Sequence, residues 1–363
     1  MSNPAPAPAE HTLSPAPPSP GATIPSAAIS PNSWTPHGIV LRDTWFPLAH
    51  ADAVRGRPVR RAVYSHPYFL WREKGAVIAA EFHPREKVSR PPSELTGGTG
   101  RYPVVERYGY VWGWFGDPDA ADELHLPNLP FLPPRGGLPR HMRGTVRFDC
   151  TAPLSLENLI DLTHADFLHA NVVGDEKSQS EEVTFVADSE TITMTRHCIG
   201  KSVAPVMRFF GGVKAKTQEV RQVIRIYVRS HAAIAYGRFR PGDDVPLFHP
   251  CVPETRDRTR LDYAMNTSRS HNLFRYVMPK FSYVVSRQDS SMTSPQSPRY
   301  ARPEKRRDLH SKLDAPSVGY RMLLQELAAR QAAGDYAYRP DGIVSRDCSE
   351  LIGVDPGLFD YPN

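Results

Sequence analysis

Glu157-Asn158-Leu159-Ile160-Asp161-Leu162-Thr163-His164-Ala165-Asp166-Phe167-Leu168-His169 sets two imidazoles five positions apart, with a carboxylate three positions before the first. Apolar residues at 156, 159, 160, 162 and 167–168 predict a helix from Leu156 to about His169, its start signalled by Pro153 and Ser155. On a regular helix the two histidines stand about 140° apart, because each residue turns the chain by roughly 100°. They converge on one metal only where the helix unwinds or carries a π-bulge. Asp161 and His164 share a face. Imidazole nitrogens suit Fe(II), Zn or Cu, and two of them with a carboxylate make the facial triad that holds non-haem iron. Spacing alone also fits two histidines on a polar face, or two satisfied in a core.

Outward from this stretch the chain alternates in character. Runs rich in Val, Ile, Tyr, Phe and Trp predict short strands at 59–64, 68–72, 76–82 and 104–115. Residues 85–100 read as a loop. Pro118, Pro127, Pro130, Pro133 and Pro134 exclude regular structure from a connector at 117–139. A strand at 141–150 precedes the histidine helix, and strands at 182–187, 191–196, 218–226, 230–238 and 259–267 follow it. A helix over 274–291, entered near Asn272, must be broken or delayed by Pro279, and a last helix over 323–333 ends at Gly334. A small β region, a connector and an antiparallel sheet flanked by two or three helices make an α+β fold. The expected division is a Pro- and Ala-rich tail at 1–33, a β region with connector at 34–140, a main domain at 141–350 and a tail at 351–363.

The 363 residues carry a formal charge of +5, with 40% hydrophobic and 23% charged composition, which is ordinary for a globular protein. No run approaches the roughly 18 apolar residues of a membrane span. The basic residues are scattered, with a late cluster at Lys305, Arg306 and Arg307, and no basic stripe with interleaved aromatics marks a nucleic-acid surface. Cys150, Cys198, Cys251 and Cys348 are widely spaced, as expected of free thiols in a reducing compartment. The first 33 residues offer neither a basic nor an apolar signal region, so the expected address is the cytoplasm.

Asn158-Leu159-x-Asp161-Leu162-Thr163-His164-x-x-Phe167-Leu168-His169 resembles the iron-site signature of Rieske-type aromatic-ring-hydroxylating oxygenases, in particular their demethylase-like branch. The resemblance implies that His164 and His169 are iron ligands. It places the third ligand at Asp289, in Ser286-Arg287-Gln288-Asp289-Ser290-Ser291, followed downstream by Gln296. Asn158 would orient a ligand from behind. Trp45-Phe46-Pro47-Leu48-Ala49-His50, Phe69-Leu70-Trp71-Arg72, the stretch 102–112 and Leu126-Pro127 are similar to the family's N-terminal half. The implied architecture is a small degenerate Rieske-like β domain followed by a helix-grip (START-like) antiparallel sheet around a pocket. Met207, Phe209, Phe210, Phe239 and Phe274 are candidates for its lining.

One departure is plain. The family binds a [2Fe–2S] centre through two Cys and two His, in a CxH and a later CxxH. Glu81-Phe82-His83-Pro84-Arg85 stands where the first motif belongs, and the second is missing. The expectation is therefore one mononuclear Fe(II) and no cluster on this chain. O₂ would be activated to hydroxylate or demethylate a small aromatic or heterocyclic substrate, with electrons from a separate Rieske-bearing ferredoxin or reductase. Asp161 would link the iron site to that donor. The resemblance also implies a homo-oligomer, commonly a trimer, or a hetero-complex. An iron enzyme needing no reductase, or a non-catalytic structural or ligand-binding subunit, remain as alternatives.

Overall fold

The computed structural model describes residues 36–169, 178–302, 308, 314–341 and 347–354. The expected N-terminal tail, the cluster at 305–307 and the last nine residues lie outside them. Ahead of the connector run six strands: β1 (Thr44–His50), β2 (Val59–Val63), β3 (His66–Glu73), β4 (Ala76–Ala80), β5 (Val104–Arg107) and β6 (Tyr110–Phe115). They form two antiparallel three-stranded sheets, ordered β1-β6-β5 and β2-β3-β4. The stretch expected as one strand over 104–115 is two. Tyr108 and Gly109 both take positive φ, 55° and 76°, which a tight hairpin turn requires at its two central positions. Trp112, Trp114 and Tyr68 are fully buried and act as core.

After the connector come β7 (Arg143–Phe148), α1 (Ala152–Ile160), α2 (Ala165–Leu168), β8 (Ser180–Ala187), β9 (Thr191–Ser202) and α3 (Pro205–Phe209). Then follow β10 (Thr217–Tyr227), β11 (Ala232–Arg240), β12 (Val245–Pro250), β13 (Val252–Pro253) and β14 (Thr259–Met265). Four helices close the described chain: α4 (Phe274–Thr293), α5 (Ser297–Tyr300), α6 (Ala315–Ala332) and α7 (Ser349–Ile352). The eight strands make one antiparallel sheet, ordered β8-β9-β10-β11-β12-β14, with β7 and β13 both paired to β14.

Period-2 alternation decides what this sheet separates. Ile224 and Ile226 pack with Leu154, Leu156 and Ile160 of α1 and Leu323, Leu324 and Leu327 of α6. Val223 and Tyr227, one step out of phase, pack with Trp45, Trp112 and Trp114 of the N-terminal sheets. Burial on both faces explains why β10 reads as an almost unbroken apolar run near its end. Each such aliphatic side chain contributes about 1.5–3 kcal/mol on leaving water.

Several elements depart from expectation, among them the last long helix, which begins at Ala315 rather than near 323. β12 was not foreseen, because Pro246 and Pro250 argue against a strand. Its second partner, β14, pairs only with Leu247 and Phe248, so both prolines fall outside the doubly bonded stretch. Pro279 does not break α4. A proline at 279 cannot donate to the carbonyl of Arg275, and the Thr267 hydroxyl donates to that carbonyl instead, at 2.7 Å. Ser349–Ile352 is helical and Ile352 is buried, so the chain is still packed where a tail was expected from 351. No described helix is long and apolar enough to cross a membrane.

Candidate metal centre

Thr151, not Ser155, caps α1, its hydroxyl accepting from the Leu154 N–H at 3.2 Å, with Pro153 in the first turn. The helix then stops early. Asp161 is extended (φ −84°, ψ 92°), Leu162–His164 form a 3-10 turn, and α2 is a separate single turn. This break swings His164 and His169 to one side, which a continuous helix would not do.

α4 brings the carboxylate. Asp289 Oδ1 lies 2.9 Å from His169 Nε2 and 3.3 Å from His164 Nε2. One atom from each of the three residues falls within 4.8 Å of the others, and this is the one group of metal-ligand type among the described residues. His169 and Asp289 are buried, and the His164 side chain is 22% exposed.

Both rings are held by their far nitrogens. His164 Nδ1 faces the carbonyl oxygen of Asp161. A carbonyl only accepts, so this nitrogen carries the proton. His169 Nδ1–H donates to Gln288 Oε1 at 2.8 Å. In the neutral rings each Nε2 is then a bare lone pair aimed at a carboxylate oxygen. That arrangement is stable only with a cation or a proton between them. Burial favours the neutral carboxyl of Asp289, but hydrogen bonds to His164 and His169 outweigh it and hold the group far below the usual range. Burial likewise works against charge on His164, yet its contact with Asp289 raises its pKa. Two imidazoles, one carboxylate and a strong demand for positive charge fit Fe(II).

The centre stands between two spaces. On the Asp289 side lies a cavity of about 170 Å³, walled by Leu159, Met207, Phe239, Leu247, Met265 and Val285 among others. Alternate residues of three strands face it: Val220, Gln222 and Ile224 from β10, Ala235, Gly237 and Phe239 from β11, and Val245, Leu247 and His249 from β12. Burial pushes His249 down to about 4, so it presents a neutral imidazole. On the His164 side lies a polar basin lined by Asn158, Asp161, His164, Gln296 and Arg321, with Phe167 and Met292 at its exposed rim.

Of the expected lining residues, Met207 and Phe239 face the cavity. Phe209 does not, being 80% exposed at the end of α3. Phe274 is fully buried, with Phe210 against it, in a cluster with Val203, Val206 and Met207 that backs the cavity, and neither phenylalanine lines it. Asn158 lines the basin, but the histidines are held by the Asp161 carbonyl and by Gln288. Gln296 donates to the Met292 carbonyl. Sequence reasoning gave Gln288 no role, although it adjoins Asp289.

The family model described as the vanillate O-demethylase oxygenase C-terminal domain matches residues 148–330, half of the chain. The chain belongs to this family. Within it, the vanillate O-demethylase oxygenase subunit of Pseudomonas sp. (strain HR199 / DSM 7063) is 29% identical over 111 residues, 30% of this chain and 30% of that protein. The dicamba O-demethylase oxygenase component of Stenotrophomonas maltophilia is 36% identical over 90 residues, 24% of this chain and 26% of the relative. The chain thus aligns with under a third of the length of these curated relatives. Dicamba monooxygenase bound to dicamba superposes with a TM-score of 0.64 at 18% identity, covering 82% of this chain and all (100%) of that one. The oxygenase–ferredoxin complex of carbazole 1,9a-dioxygenase gives 0.52 at 15% identity, covering 81% of this chain and 94% of that one. These likenesses establish the Rieske-oxygenase fold, with its sheet-rich C-terminal domain.

Proposed function

We propose that this chain is a mononuclear non-haem iron oxygenase subunit that hydroxylates or demethylates a small aromatic compound, with electrons supplied in trans. The observation that carries this reading is the triad of His164, His169 and Asp289, with both Nδ1 positions tied back and both Nε2 atoms directed at one point. Fe(II) held there would supply O₂ activation. The chain's own part is to hold the three ligands, exclude water from the Asp289 side and orient the substrate.

The cavity supports a single-ring substrate. An engineered apolar cavity of roughly 150 Å³ holds benzene, and this one, at about 170 Å³, has donors in Lys201, Gln222 and His249 for a polar substituent. Vanillate and dicamba, named in the relatives, are single-ring aromatic acids with a methyl ether. Demethylation balances as ether plus O₂, two electrons and two protons, giving phenol, formaldehyde and water.

The residues present do not fit a [2Fe–2S] centre. The sequence has no cysteine before Cys150. Where the first cluster motif would stand, Glu81 is buried and accepts from Arg90 and from the Ser93 N–H, the latter at 2.8 Å. Arg90 lies over the Phe82 ring, and His83 packs against Phe69. Electrons are therefore assigned to a separate Rieske-bearing ferredoxin or reductase. The basin beside His164, with Asp161 in its wall, is the approach for that partner.

Anaerobically reconstituted protein should bind about one Fe(II) per chain, and His164→Ala, His169→Ala and Asp289→Ala should each lose most of it. With a Rieske-type reductase, the wild type should release formaldehyde from aromatic methyl ethers. Equal iron in all four proteins would sink the assignment, and iron binding without turnover of any aromatic substrate would favour a non-catalytic subunit.

A further inference from the structure

α2 is a single turn of four residues, far too short to hold its own geometry, yet it carries the chain from one ligand to the next. Something outside it must fix where His164 and His169 stand. The Arg196 side chain, on β9, is 2% exposed and reaches both sides of His164. Its Nη1 donates to the Leu162 carbonyl at 3.2 Å, and its Nη2 to Asp166 Oδ2. The other oxygen of Asp166 accepts from Lys201 Nζ at 2.8 Å. Arg196 is itself braced from the far side by Glu181, which accepts from Nε at 2.8 Å. The contacts to Asp166 are charge-assisted and buried, the stronger kind of hydrogen bond. The planar guanidinium of Arg196 serves Leu162, Asp166 and Glu181 at once with its fixed fork of donors, a geometry an ammonium does not offer.

We propose that Arg196 is the positioning residue for the metal centre, setting the spacing of the two histidines by gripping Leu162 and Asp166 on either side of His164. This rests on the reading of the triad as a metal site. Arg196 touches no ligand atom and acts through the segment that bears them. Asp166, which lies between the histidines and carries no metal-ligand role, is its handle.

The test compares Arg196 with an equally buried arginine that serves only the fold. Arg229 pairs with Glu190 at 2.7 Å, the two side chains 2% and 1% exposed, and ties down the carbonyls of Tyr336 and Ala337. Metal-free wild type, Arg196→Met, Arg196→Lys and Arg229→Met are titrated anaerobically with Co(II), following affinity and the visible Co(II) absorption bands. Thermal melts establish the folded fraction. Both Arg196 variants should bind Co(II) about 10–100-fold more weakly with altered bands. Arg229→Met should melt earlier but bind like the wild type when folded. Should Arg196→Met not fold, Arg196→Lys, which keeps the buried charge, carries the same expectation. Wild-type affinity and bands in a folded Arg196 variant would overturn the proposal, as would an equal loss in Arg229→Met. A wild type that takes up no Co(II) overturns the metal reading, and this inference with it.

Discussion

Gln288 and Asp289 are consecutive on α4 and reach opposite nitrogens of the same imidazole, Nδ1 and Nε2 of His169. The histidines and the aspartate were named through the resemblance of their motifs to a known family, and the structure brings the three side chains together. The amide was not so named, since a glutamine becomes a ligand-orienting group only through its rotamer. Gln288→Leu should keep the fold and weaken Fe(II) binding by about 10–100-fold, measured by competition with a chelator. Unchanged affinity would leave the amide no part in holding the ring. A second residue governs pH. His231 is fully buried, and desolvation pushes it down to about 3, while its Nε2 and the Tyr64 hydroxyl share a hydrogen bond of 2.7 Å. Its pKa is depressed in the folded state, so the unfolded chain takes up the proton first as pH falls. The contribution is therefore complete above about 6.5 and is lost as pH falls from there toward the folded value, at up to about 1.4 kcal/mol per pH unit. Between pH 7.5 and 5.0, urea denaturation should show the wild type losing about 2 kcal/mol more than His231→Gln. Parallel losses would mean that His231 takes up its proton as readily in the folded protein as in the unfolded chain.

At the scale of elements, many strands were legible as runs of β-prone residues and α1 by its period, but the helix expected to reach His169 ends at Ile160. Convergence of the two histidines on one point demanded a distortion that spacing could require but not locate. It falls at Asp161, whose carbonyl, rather than its carboxylate, meets His164. α4 shows the reverse case, a helix that sequence rules would interrupt. Pro279 leaves the Arg275 carbonyl without its helical partner, and a hydroxyl on the segment after β14 replaces it. Nothing near Pro279 in the sequence signals this, because Thr267 lies twelve residues earlier. Thr267→Val should cost about 1 kcal/mol, the loss of one partly buried hydrogen bond, whereas Thr267→Ser should retain most of the stability. Equal urea midpoints for the two variants would show that the hydroxyl does not support the helix.

Across the whole molecule, the N-terminal sheets pack against the main sheet through Trp45, Trp112 and Trp114, with no thiolate to hold a cluster. Protein purified without oxygen should contain no acid-labile sulfide and give no Rieske EPR signal; either finding would mean that other donors hold a cluster. Asp161→Asn should keep its iron, because the backbone carbonyl that holds His164 is untouched. It should lose reductase-driven turnover while retaining turnover driven by hydrogen peroxide. Full reductase-driven activity would remove Asp161 from the electron path, and loss of both activities would mean a damaged iron site. The two spaces on either side of the centre also differ in what they leave open to change. The strand residues facing the cavity sit on a sheet paired through its backbone, whereas His164 and His169 flank α2 and Asp289 lies on α4. Val220, Ala235 and Leu247 line the cavity from strands that carry none of the three proposed ligands, so each could change alone with that triad left in place. A chain built in this way could alter the small molecule it admits while inheriting the same three side chains.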